Sequence, residues 1–282
     1  MKKLFSGRVG KGPRHERSYA AVSALVGWVA RLRLPSFVLQ PFLRRFVQSF
    51  EVDLGLIDRP LESFVSVDDF FTRDLRPGVR PIDGRANAVL SPADGRVHNF
   101  GFIEDGVLLQ AKGIPYSLEA LLTDPLEAER FRGGSYLTVY LSPRDCHHVF
   151  APMAGSLRRA VHVPGRLFPV REPIVSTVQG LYTRNERVVT LLDAGDHQLA
   201  VVLVAATNVG NITLLPEARL GAPRPYLTNR GLSPAVGVAA GQKLGTFHLG
   251  STVVLVFSKP VTWREGLLGA SVCYGEALGS WG

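Results

Sequence analysis

Residues 247–257, Phe-His-Leu-Gly-Ser-Thr-Val-Val-Leu-Val-Phe, form a run of strand-forming side chains interrupted by Gly250-Ser251-Thr252. A strand interior disfavours glycine, which adds entropy cost and no packing, so glycine there marks a bulge or a close approach to the backbone. Short strands also dominate the chain before this run. Ala88 to Leu90, Arg96 to Phe102, Val107 to Ala111, Tyr136 to Leu141, Leu157 to Val163, Arg187 to Leu192 and Gln198 to Ala205 are rich in β-branched or aliphatic residues, with Gly, Pro, Asp or Asn between them. Residues 118–132 read as a short helical excursion. The regular strand–helix rhythm of a parallel sheet is missing. The expected fold is therefore α+β, with a mostly antiparallel β core and N-terminal amphipathic helices.

At 282 residues the chain can bury a full core, and one large domain with a helical appendage is expected, divided as 1–50 and 51–282. The two cysteines, Cys146 and Cys273, are too few for a disulfide framework and favour a reducing setting. His147 and His148 are adjacent rather than one helical turn apart, so no metal site is expected.

The net charge of +8 is concentrated at one end. Residues 1–50 hold ten Lys or Arg against the single acid Glu16, whereas the remainder is nearly neutral. Such an excess points to an anionic surface, nucleic acid or lipid. The apolar residues favour lipid. Tyr19 to Ala30 is a largely apolar stretch containing Trp28, too short for the ~20 residues that span a bilayer but suited to its interface. Beyond Pro35, residues Leu39, Phe42, Leu43, Phe46 and Phe50 fall at helical spacing, with Arg44, Arg45 and Gln48 on the other side. The same stripes would also suit two helices packed on the β core. Arg31 and Arg33 follow the apolar stretch directly, which argues against a cleaved secretory signal.

A serine that follows a glycine can attack the preceding carbonyl, turning the Gly250–Ser251 amide into an ester, if a base takes the hydroxyl proton and the backbone is strained. Elimination from that ester cuts the chain. Position 251 is left as dehydroalanine, which hydrolyses to a pyruvoyl ketone. The same tetrapeptide also fits a bulge with a buried serine.

Leu249-Gly250-Ser251-Thr252 resembles the self-cleavage motif of the phosphatidylserine decarboxylase family, and further segments resemble that family in the same order. They are Phe70-Phe71-Thr72-Arg73-Asp74-Leu75-Arg76-Pro77, Arg80-Pro81-Ile82-Asp83, Ser91-Pro92-Ala93-Asp94-Gly95, Leu109-Gln110-Ala111-Lys112-Gly113, Tyr116 to Leu122, Leu141-Ser142-Pro143-Arg144-Asp145-Cys146-His147, Val163-Pro164-Gly165, Arg184-Asn185-Glu186-Arg187 and Gly241-Gln242-Lys243. The resemblance runs from about residue 50 to about residue 275. It implies decarboxylation of phosphatidylserine to phosphatidylethanolamine through a pyruvoyl cofactor made from Ser251, after a cut between Gly250 and Ser251 into a β chain (1–250) and an α chain (251–282). The group would act as the electron sink that pyridoxal phosphate supplies elsewhere. The implied partners are an anionic membrane, contacted peripherally on its cytoplasmic face, the two chains of one precursor and a homodimer, without nucleic acid.

The resemblance assigns Asp94 as the relay aspartate, although Asp-Gly alone reads as a turn. His147 matches the first of two family histidines spaced three apart and is given a part in decarboxylation, protonating the carbanion left by carbon dioxide. The second, the base for self-cleavage, falls on Phe150, which cannot accept a proton. His148 is the substitute if a local bulge turns it to the required face, and His248 is a weaker one. Two alternatives stay open: a non-processing membrane-binding relative, and a serine hydrolase using Ser251, although the chain lacks the Gly-x-Ser-x-Gly elbow.

Overall fold

The computed structural model describes residues 26–110, 113–171, 174–206, 212–214, 231–248 and 250–282. The features expected over residues 1–25, and Leu249 of the tetrapeptide, lie outside these residues. Strands β1 (Ala88–Leu90), β2 (Gly95–Phe102), β3 (Val107–Leu109), β4 (Pro115–Ser117), β5 (Ser135–Leu141), β6 (His148–Phe150), β7 (Gly155–Val163) and β8 (Arg187–Ala194) come first. They are followed by β9 (His197–Ala205), β10 (Ile212–Leu214), β11 (Gly231–Val238), β12 (Lys243–Phe247), β13 (Ser251–Phe257), β14 (Thr262–Trp263), β15 (Ser271–Val272) and β16 (Ala277–Ser280). Eight of them make one sheet in the order β11-β7-β8-β9-β13-β5-β2-β15, antiparallel throughout. Two three-stranded sheets, β10-β12-β6 and β1-β16-β14, accompany it.

β13 explains the apolar run. It lies between β9 and β5 in unbroken register, and every one of its residues is buried. Val253, Leu255 and Phe257 enter a cluster with Leu137, Val139, Val149, Leu199, Val201 and Leu203, while Val254 and Val256 enter the opposite cluster with Tyr136, Val202 and Val204. A strand covered on both faces needs apolar residues at both parities, and each fully buried Val or Leu contributes about 1.5–3 kcal/mol. The expected excursion at 118–132 is two short helices, Leu118–Leu122 and Pro125–Arg130, each capped by a side chain, Ser117 and Asp124 respectively.

The N-terminal part packs separately. Helix α1 (Ser36–Phe50) buries Leu39 and Leu43 in a cluster with Val52, Ile57, Leu61, Phe64 and Phe70, so this packing unit straddles residue 50. The stripe read from the sequence therefore divides between core and surface. Leu39 and Leu43 face inward, Phe46 is half-buried, and Phe42 and Phe50 are exposed beside Phe37, Val38 and Trp28. Helix α2 (Val67–Phe71) starts at Ser66, whose hydroxyl accepts from Asp69 N at 3.0 Å while Asp69 Oδ2 accepts from Val65 N at 3.0 Å. That reciprocal cap fixes a five-residue helix too short to persist on propensity alone. Phe46 of α1 meets Phe70 and Phe71 of α2 edge-on, at 5.8 and 6.4 Å between ring centroids.

Candidate active site

The glycine before Ser251 lies at a joint between sheets, not inside a strand. β12 belongs to the three-stranded sheet with β6 and β10, and β13 to the large one, so the chain crosses from one to the other between Phe247 and Ser251. Gly250 makes that crossing at φ +32°, a backbone region that favours glycine. Ser251 is the first residue of β13, paired with Leu141 on one side and Ala205 on the other. It is wholly buried, and its Oγ has no hydrogen-bond partner among the described residues. An unpaired buried hydroxyl costs about 1–3 kcal/mol, so a fold that keeps one has a use for it. A reactive group made from this residue fits here: the hydroxyl is uncommitted, and the peptide bond before it sits in a glycine-dependent turn.

Asp94 lies one residue before β2, nearly buried, with Arg80 Nη2 at 2.9 Å and Arg80 Nε at 3.2 Å from its carboxylate. Tyr274 N also donates to Asp94 Oδ1, at 2.9 Å. Among the described residues its carboxylate bonds to no histidine. Phe150, where the resemblance expects the base, stacks on the Tyr274 ring at 3.8 Å and 13°. A cavity of about 470 Å³ opens beside Asp94, lined by Arg80, Arg96, Tyr140, Arg144 and Cys273, with Phe50 and Glu51 at the end of α1 on its wall.

The three candidate histidines are all held by one stretch, residues 68–74. His148 lies on β6 two residues before Phe150, so the two side chains share a strand face; the one extra residue in the β12–β6 ladder, Leu244, is on β12. Their rings are 6.4 Å apart and nearly perpendicular. His148 Nδ1 is 2.8 Å from Thr246 Oγ1, and its Nε2 is 3.0 Å from Asp74 Oδ1. Asp74 accepts a hydrogen bond from Lys243 Nζ at 2.7 Å and faces His148 Nε2 at ion-pair distance without an aligned hydrogen bond; these partners, His148 foremost, hold its carboxyl well below the usual carboxylate range. His248, one residue past the end of β12, has the same kinds of partner with the two ring nitrogens exchanged. Its Nδ1 is 3.0 Å from both oxygens of Asp68, and its Nε2 is 3.3 Å from Thr213 Oγ1. Thr213 and Thr246 are register partners, so two Asp–His–Thr arrays lie side by side on the β10-β12-β6 sheet.

His147 is the most deeply placed. It is fully buried, with Nδ1 2.9 Å from the Asp145 carbonyl oxygen and Nε2 without a partner among the described residues. The Phe71 ring lies 3.9 Å from its own. Burial, reinforced by the Arg73 charge, pushes the imidazole pKa well below its ordinary value, so the ring is neutral. Arg73 is itself 2 % exposed and donates to the carbonyls of Phe70, Arg144 and Asp145. The Asp145 carboxylate points elsewhere, accepting from Ser142 N and Ser142 Oγ at 2.7 Å, and burial raises its pKa.

The expected residues thus fall into three settings: Ser251 at the sheet joint, Asp94 with Arg80, and His147 with His148 beneath residues 68–74. In the sequence Phe71, Arg73 and Asp74 stand out only as part of a family signature, and neither Asp68 nor the grip of Arg80 on Asp94 stands out at all. The one local sign is acid density: Asp68, Asp69 and Asp74 in seven residues.

A profile described as phosphatidylserine decarboxylase matches residues 67–280. Proteins named phosphatidylserine decarboxylase proenzyme are similar along nearly the whole chain. One from Myxococcus xanthus is 40% identical over 250 residues, 88% of this chain and 89% of its own. One from Azotobacter vinelandii is 40% identical over 277 residues, 94% and 96% of the two chains, and one from Stutzerimonas stutzeri 40% over 267, 92% and 89%.

Proposed function

The chain belongs to the phosphatidylserine decarboxylase family, and from that premise we propose how its own residues carry out the reaction of a pyruvoyl-dependent proenzyme that turns phosphatidylserine into phosphatidylethanolamine and carbon dioxide. Ser251 Oγ is the nucleophile of self-cleavage and attacks the Gly250 carbonyl. The observation that carries this reading is the buried, unpartnered hydroxyl directly after a positive-φ glycine at a sheet joint. The cut divides the precursor into residues 1–250 and 251–282. Pairing of β13 with β5 and β9, of β15 with β2 and of β16 with β1 would keep the small chain in place.

His148 is the base in this reading, taking the proton at Nδ1 in place of its contact with Thr246 Oγ1, with Asp74 on Nε2 supporting the charge it acquires. Asp94, committed to Arg80 and Tyr274 N, supports the site electrostatically rather than by orienting a histidine. A second reading gives the base role to His248, because Asp68 on its Nδ1 leaves Nε2 as the acceptor and Ser251 follows three residues later.

Once formed, the pyruvoyl group supplies a ketone that draws electrons from the bond losing carbon dioxide. His147 handles the proton. Its neutral Nε2 accepts one from the substrate amine and returns it to the carbon that carbon dioxide has left, so the ring ends as it began. The cavity beside Asp94 carries three arginines and three acids; Arg80 is paired with Asp94 and Arg144 with Glu51 and Asp145, which leaves Arg96, free of an ion pair among the described residues, as the cation for the anionic headgroup in this reading.

No helix among the described residues is long and apolar enough to cross a membrane. In this reading the protein binds peripherally, on the cytoplasmic face, through the exposed Trp28, Phe37, Val38, Phe42 and Phe50 and the basic N-terminal segment, and pairs as a homodimer. The test is carbon dioxide release from carboxyl-labelled phosphatidylserine in vesicles. Wild-type protein should release label and Ser251→Ala none; equal release from both would remove Ser251 from the chemistry.

A further inference from the structure

The unpartnered Nε2 of His147 is aimed by a set of contacts that starts on a different part of the chain. A carbonyl oxygen only accepts, so at 2.9 Å from Asp145 O the Nδ1 of His147 carries the hydrogen and Nε2 keeps the lone pair. The same carbonyl accepts a second hydrogen bond, from Arg73 Nη2 at 3.0 Å, and this nitrogen also reaches Arg144 O at 2.6 Å. The other arm, Nη1, returns to Phe70 O at 3.3 Å. The guanidinium therefore ties α2 to the 144–145 turn and fixes the oxygen that selects the tautomer of His147. Phe71, two residues before Arg73, fixes the plane of the ring from the other side.

We propose that Arg73 and Phe71 are positioning residues for His147, setting Nε2 as the atom that exchanges protons with substrate. This deepens the decarboxylase reading and rests on it. Arg73 forms no ion pair among the described residues, and a buried guanidinium that spends its donors on carbonyls is costly to keep for packing alone. Lysine cannot reproduce its role: a point charge on a flexible stem can satisfy one of these carbonyls but does not form a planar fork between α2 and the turn. Removing the outer partner that orients a metal-bound histidine typically costs ~10- to 100-fold, and an effect of about that size is expected for a proton-carrying histidine held in the same way.

The test begins with nitrogen NMR of histidine-labelled, full-length Ser251→Ala protein, which is uncut and reads His147 independently of activity. Across pH 6–8 the His147 signals should show a protonated Nδ1 and an unprotonated Nε2; a protonated Nε2 overturns the proposal outright. Arg73→Lys in the same background should give mixed tautomers. In the cleavable background Arg73→Lys should lower kcat per cleaved chain ~10- to 100-fold with KM within about twofold. Added to His147→Gln it should cost nothing further, because its effect passes through that ring. If Arg73→Lys does not fold, Phe71→Leu, which keeps the volume apolar but loses the flat ring, replaces it: kcat per cleaved chain should fall with KM little changed and nothing further lost on His147→Gln, while the tautomer stays Nδ1–H because Asp145 O is still held. Variants that lose stability while the His147 nitrogens and kcat stay unchanged would leave these residues a structural role only. A wild-type chain that releases no carbon dioxide yet shows the Nδ1–H tautomer would instead refute the decarboxylase reading and leave the geometry standing.

Discussion

Ser251 and the histidines are held by two kinds of structure. The serine is fixed by backbone: β13 pairs residue for residue with β5 and β9 from Ser251 to Phe257, deep in the eight-stranded sheet. The histidines are fixed by side chains from residues 68–74, a capped five-residue helix and its tail packed on the outside of the β10-β12-β6 sheet. Moving the nucleophile would mean slipping a register and turning a whole strand over. Moving a proton acceptor needs only a new pair of side chains on an existing face. The contrast accounts for how this chain carries Phe150 where the resemblance expects a base while presenting two other Asp–His couples.

The largest effects should come from the side-chain half. His148→Ala should slow self-cleavage by ~10²–10⁴-fold, the usual contribution of a general base, while His147→Ala is still cut but decarboxylates poorly. The check is a time course of precursor loss on denaturing gels. Normal cutting by His148→Ala with loss in His248→Ala would transfer the role to the Asp68 couple, and Phe150→His should speed cutting wherever the wild type is slow. In the backbone half, Leu255→Ala removes a fully buried side chain from the middle of β13 and should cost about 2–5 kcal/mol in urea unfolding. Asp74→Asn, on the attached segment, should change that stability less than it changes the rate of cutting.

The backbone half is legible in the sequence and the side-chain half largely is not. The seven strands expected between Ala88 and Ala205 lie within two residues of their expected ends, because runs of β-branched and aliphatic residues between turn formers are a local pattern, whereas β4 and β6 have no counterpart in the sequence reading. Ser251 stands out for the same reason. The Gly250 turn reads as a strand interior, since a sheet-to-sheet crossing has the same composition as a bulged strand. Arg73 reaching the carbonyls of Arg144 and Asp145, 71 and 72 residues away, leaves no local trace, nor does Asp68 reaching His248 across 180 residues. The α1 stripe is legible as amphipathic, but Leu39 and Leu43 point inward and Phe37 and Phe42 outward, and only the packing of Phe64 and Phe70 distinguishes the two.

A smaller effect follows from His147. Burial depresses its folded-state pKa, so below the unfolded value of about 6.5 the unfolded chain binds a proton that the folded chain refuses. Stability should therefore fall as pH drops through 6.5 and below, by up to about 1.4 kcal/mol per unit, until the folded-state value is reached. Uncut Ser251→Ala protein should show this slope in urea midpoints, and adding His147→Gln should flatten it. Smallest for the fold should be Phe37→Ser with Phe42→Ser, both exposed on α1. Stability should move by about 0.5 kcal/mol or less, while binding to anionic vesicles weakens and the remaining affinity drops as salt rises. Unchanged binding would remove α1 from the membrane contact.

Self-cleavage at Gly250–Ser251 is tested most directly by the intact mass of the purified protein under denaturing conditions, measured at intervals during incubation. Two species are expected, residues 1–250 and a 251–282 fragment whose first residue is a ketone-bearing pyruvoyl group, with only full-length chain from Ser251→Ala. A wild-type chain that stays at full length throughout, with serine intact at 251, would contradict it.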